Sequence, residues 1–151
     1  MMSTKFLQEH RLFRKCIKAL SIDPLSEIEA NSLTDLFELM VPLTDWGKVD
    51  WSRIDKRVNV GKKPENIIPS LEKLLGGFFD TSVYVEWSDA EFYPIKTDIE
   101  SIVKNYIDVI CVSFEKFIFN PDVGYVIEIL PSRQITAGLI PNYEEVFLKK
   151  K

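Results

Sequence analysis

The sequence has one histidine and two cysteines, and that shortage narrows its chemistry. With His10 alone, no Cys/His zinc set of ordinary spacing can be assembled. His10 falls in line with Phe6 and Phe13 on an apolar helix face and reads as a packed residue rather than a general base. Cys16 and Cys111 lie far apart in apolar surroundings. They read as reduced core thiols of a cytoplasmic protein, not as a disulfide. Neither a P-loop nor a GxGxxG motif occurs, so no backbone phosphate cradle is indicated. No apolar run approaches the roughly 20 residues of a membrane helix. The start, MMSTKFLQEHRLFRK, scatters charge where a signal peptide would be apolar. The expectation is a protein with no metal, no cofactor, no catalytic residues and no membrane segment.

The 151 residues are 46% hydrophobic and 28% charged, which suits one globular domain spanning 1–151 with a core that needs no staple. The formal charge is −4, and it is concentrated. Between Asp80 and Glu100 six acids face a single base, Lys96, a local −5 that leaves +1 for the rest of the chain. A field of one sign attracts a partner of the other sign and repels nucleic acid. Arg11, Arg14, Lys15 and Lys18 form a basic stripe on the first helix. No aromatic residues interleave with them, and they read as a solvated face rather than a nucleic-acid site.

Periodicity predicts an α+β fold, with N-terminal helices packed on one face of an antiparallel sheet that ends in a three-stranded meander. Residues 1–41 read as a helical hairpin. Phe13, Ile17 and Leu20 face inward on the first helix, and Ile28, Leu33, Leu36, Phe37 and Met40 on the second. Ser26 and Glu29 form a capping box, and Asp23-Pro24 separates the helices. Residues 45–140 read as mixed α/β: a short strand at 57–60, a helix from Asn66 to Leu75 stopped by Gly76-Gly77, strands at 82–87 and 92–96, and a helix opened by Thr97-Asp98-Ile99-Glu100. The meander takes 109–119, 125–130 and 134–139, with its first turn at Asn120-Pro121-Asp122-Val123-Gly124. Residues 141–151 form a tail.

Residues 84–94, YVEWSDAEFYP, hold four aromatic rings and three carboxylates with no base. Each tryptophan follows an acid: Asp45-Trp46, Asp50-Trp51 and Glu86-Trp87. Glu86, Asp89 and Glu91 are the best metal or acid–base trio, but strand alternation separates Glu86 from the other two, and no glycine shapes a calcium loop. Rings rimmed by carboxylates suit contact with a basic protein, the rings supplying buried area and the acids register and association rate. The predicted partner-binding residues are Glu86, Trp87, Asp89, Glu91, Tyr93, Asp98, Asp50 and Trp51. The alternative is a small-ligand or regulatory α+β domain with Trp51, Trp87 and Tyr93 lining a pocket.

The stretches VYVEWSDAEFYPIKTDIESIVKNY and FIFNPDVGYVIEI resemble those of CdiI-like immunity proteins of bacterial contact-dependent growth inhibition. The resemblance covers roughly Asp45 to Ile140. It implies a cytoplasmic, non-catalytic protein that binds and neutralises a cognate toxin, usually a nuclease or other toxic domain.

Overall fold

Local capping chemistry decides where the helices begin and end. The structure is a computed structural model and describes residues 4–23, 25–77, 79–88 and 92–141, with side chains from Arg11 onward. Helix α1 spans Thr4–Leu20 and α2 spans Glu27–Met40. The Ser26 hydroxyl oxygen accepts the Glu29 N–H at 3.2 Å and donates to the Glu29 carboxylate at 2.8 Å. This satisfies one of the free N–H groups of the first turn of α2. Helix α3, Ile67–Leu75, stops at Gly76, whose φ of 80° lets the chain turn off in the left-handed region. Strand β1 is Arg57–Gly61, β2 Ser82–Trp87 and β3 Ile95–Asp98. Helices α4, Ile99–Lys104, and α5, Tyr106–Ile110, precede β4, Lys116–Asn120, β5, Tyr125–Ile129, and β6, Ile135–Leu139.

The six strands form one antiparallel sheet in the order β1-β6-β5-β4-β2-β3. The predicted meander is its centre, and the Asn120 side chain shapes the first turn. Its carbonyl oxygen accepts the N–H groups of Asp122 and Val123 at 2.9 and 2.8 Å, while its amide donates to the Ser82 carbonyl at 2.8 Å. Strand alternation gives the sheet two buried faces. Val83, Val85, Ile118, Tyr125, Ile127 and Ile135 meet Phe13, Cys16 and Leu20 of α1, together with α3, α4 and α5. On the other face Phe117, Phe119 and Val126 meet Leu33, Phe37 and Met40 of α2, plus Val49 and Ile54 from the segment that follows it. The Phe37 ring lies 5.4 Å from Phe117 and 5.1 Å from Phe119.

The α+β class and the antiparallel sheet match the sequence reading, but the first two helices do not share a face. The linker between them passes the corner where β3 begins, with the Leu25 N–H directed at the Pro94 carbonyl at 3.5 Å. That route carries the chain across the sheet, so each helix buries its apolar stripe against strands rather than against the other helix. The inward stripe of α2 uses Ala30, and Ile28 is exposed. The strand expected over 109–119 is helix α5, a turn and then β4. The Ser113 hydroxyl donates to the Glu115 carbonyl at 2.6 Å and bends the chain before pairing starts. Strand β3 begins at Ile95, three residues later than predicted. Cys16 is buried as expected, but Cys111 is exposed because it caps α5 at the surface. The side chains of Phe6 and His10, and the tail from residue 142, lie outside the described residues.

Candidate functional site

At the corner where β2 ends, the sheet leaves an open cleft of about 400 Å³. Helix α2 supplies Asn31, Thr34 and Glu38 to one wall. Phe37 and Phe117 lie beneath, Glu86, Trp87, Tyr93 and Glu115 come from the sheet side, and Trp46 stands at the rim. The Trp46 ring is held out by a tight reversal. The Thr44 N–H donates to the Lys48 carbonyl at 2.7 Å, the Gly47 N–H to the Thr44 carbonyl at 3.0 Å, and Gly47 takes a φ of 81°. Trp46 is 84% exposed, the highest value among the described large apolar side chains. Solvating so large a ring forgoes roughly 2 kcal/mol of burial, which marks it as a candidate for covering by a partner.

The described lining of the cleft contains three carboxylates, Glu38, Glu86 and Glu115, and no lysine or arginine. Glu86 is 7% exposed and accepts the Thr34 hydroxyl at 2.8 Å. Burial pushes its carboxyl up to about 7; the Thr34 hydrogen bond opposes that shift and the charge of Glu38 adds to it. A carboxylate raised toward neutrality at the wall of a cleft marks a candidate functional position. Glu115 is partly balanced by Lys48, whose Nζ lies 3.8 Å away on the outside of the turn. On the same sheet face Glu128, opposite Phe117, is also buried, but both of its oxygens are used. One accepts the Val49 N–H at 2.8 Å and the other the Trp51 indole N–H at 2.9 Å.

The eight predicted contact residues therefore separate. Glu86, Trp87 and Tyr93 meet at the cleft. Trp87 also serves the core: its ring packs edge-on to Phe13 at 6.1 Å, and its indole donates to the Tyr93 carbonyl at 3.1 Å. Asp89 and Glu91 lie outside the described residues. Asp98 sits at the far end of the β2–β3 pair and caps α4, accepting the Ser101 N–H at 2.8 Å. Asp50 accepts the Ser52 hydroxyl at 2.6 Å, and the Trp51 ring is tied down by Glu128 over Gly138. Sequence reasoning missed Glu38, Trp46 and Glu115 as site residues. The Asp45-Trp46 pair and the turn-forming Gly47 were visible signals for one of them. The other two reach the cleft only through tertiary packing.

Among the described residues no three His, Cys, Asp or Glu side chains gather where a metal ion could be held, and no helix is long and apolar enough to cross a membrane. These features define an α+β protein with an acidic, ring-lined cleft. The sequence profile of the family described as CdiI immunity protein, EcoliA0-like, matches residues 10–138, and the chain belongs to that family. It is an immunity protein that neutralises a toxin, and its partner is that cognate toxin protein. No curated protein matches it.

Proposed function

We propose that this immunity protein disarms its toxin by seating a basic segment of it in the cleft between α2, the Trp46 turn and the end of β2. It acts in the cytoplasm, by binding alone. The toxin domain is a basic one of nuclease type, whose positive surface would otherwise engage phosphates. The observation that carries this reading is the cleft lining: among the described residues, three carboxylates, no base, and the exposed rings of Trp46 and Tyr93. A lysine or arginine entering there would meet Glu86 and Glu115 and could stack on Trp46. Asp89 and Glu91 come shortly after β2 in the sequence and add two more acids to this stretch of the chain. Asp50, Trp51 and Asp98 hold the fold together and stand outside this contact.

The test is calorimetric titration of the cognate toxin domain. Glu115→Lys and Trp46→Ala should each weaken binding by about tenfold or more, and Asp50→Asn should leave it unchanged. Wild-type affinity in both cleft variants would remove the cleft from the interface.

A further inference from the structure

The segment 113–117 separates two clefts of opposite charge. Glu115 and Phe117 point to the acidic cleft, while Phe114 and Lys116 point to a second cleft of about 280 Å³ on the other face. That second cleft is lined by Lys116 and Arg133 together with Phe114, Cys111 and Pro131. Lys116 is 3% exposed, flanked on the sheet by Trp87 and Ile129. Its ammonium has one acceptor among the described residues, the Phe114 carbonyl at 3.3 Å, and no carboxylate within ion-pair reach. The Arg133 side chain has no hydrogen-bond or ion-pair partner among the described residues. A buried ammonium with one long hydrogen bond is costly unless something else completes its shell. At the mouth Phe114 is 76% exposed. An exposed ring, an arginine and a desolvated charge are the parts of a binding hot spot.

We propose that the Lys116–Arg133 cleft is a second docking point for the toxin, receiving an aspartate or glutamate side chain while Phe114 packs against apolar surface beside it. The toxin would then grip this protein across segment 113–117, a basic group on one side and an acidic group on the other. A pair of opposite charges fixes orientation more strictly than one charged patch and rejects partners carrying only one of the two. The lowering of the Lys116 ammonium to about 8, chiefly by burial, agrees with a charge that lacks its counter-ion. This inference rests on the toxin-binding reading above.

Cys111 provides the probe. It is exposed, whereas Cys16 is buried with its thiol pushed up to about 12 by burial and by Asp108, so iodoacetamide should label Cys111 alone. Adding the toxin domain should slow Cys111 alkylation about tenfold or more. The double variant Lys116→Met, Arg133→Asn should lose about tenfold or more in toxin affinity. Methionine keeps the volume of the lysine stem and asparagine tolerates the positive φ of position 133, and melting of the free variant checks that it folds. If Glu115→Lys weakens binding while Cys111 alkylates in the complex at its free rate, or while the double variant binds like wild type, the second docking point is refuted and the acidic cleft stands. Protection by citrate alone, equal to that by toxin, reassigns the cleft to a free anion and also refutes it. If neither cleft's variants alter affinity, both readings fall.

Discussion

Glu86 should make stability depend on pH in one sense and, if the toxin occupies the cleft as proposed, binding in the other. Its carboxyl is raised from 4.5 to about 7. It therefore holds its proton more tightly folded than unfolded, and the proton favours the fold. This contribution is intact below about pH 4.5 and is lost as pH rises through about 7. The rise from 4.5 to about 7 corresponds to about 3 kcal/mol at full expression, of which roughly 2.5 kcal/mol falls between pH 5 and pH 8. Residual solvent at the cleft mouth reduces it, so about 2 kcal/mol is expected. Among the described residues the charged groups facing Glu86 are Glu38 from α2 and Glu115 from the rim of β4, with Lys48 balancing the latter. Urea unfolding of wild type and Glu86→Gln at pH 5 and pH 8 isolates the effect, since glutamine can still accept the Thr34 hydroxyl and does not titrate. Wild type should lose about 2 kcal/mol more than the variant across that interval; parallel pH profiles would refute the account of a desolvated carboxylate. A cation from the toxin favours the ionised form, so toxin affinity should rise from pH 6 to pH 8 with release of a proton, and Glu86→Gln should flatten that rise.

Other substitutions test the two cores and the turn. Phe119→Ala should destabilise by about 3–5 kcal/mol in chemical denaturation, because the ring is fully buried beside Phe37 and Tyr84. Gly138→Ala should cost about 1–3 kcal/mol, since a Cβ there would lie 2.8 Å from the Trp51 ring and 3.0 Å from the Lys56 carbonyl. Glu128→Ala should cost about 2 kcal/mol or more by stranding the Val49 N–H and the Trp51 indole, with a red shift of tryptophan emission. Trp46→Ala should leave the melting temperature of the free protein within about 1–2 °C.

The parts of the fold legible in the sequence were those whose determinants are local. Ser82–Trp87 alternates, Gly76 ends a helix and Asn120 makes its own turn, and the structure has all three. Val109-Ile110-Cys111-Val112 misled because a short apolar run buries equally well as strand or helix end; Tyr106–Ile110 continues the helical stretch. The side of the sheet that α2 covers could not be read from α2 itself, since its stripe would fit either face. The site divides the same way. Glu86, Trp87 and Tyr93 lie within one charge-dense window and were found together, whereas Glu38 and Glu115 reach the cleft from segments about 50 and 30 residues distant along the chain.

The crossing of the 21–26 linker at the β3 corner bears on the order of folding. Helices α1 and α2 are neighbours in sequence, yet neither is the other's partner. The strands they cover include β4 and β5, which leave the ribosome some 80 residues or more later. Both helices must therefore wait, with unburied stripes, until the C-terminal half of the chain is made. A peptide of residues 1–41 should show little helix in water. A newly made molecule should gain protease resistance in one late step, after the hairpin built on Asn120 has emerged.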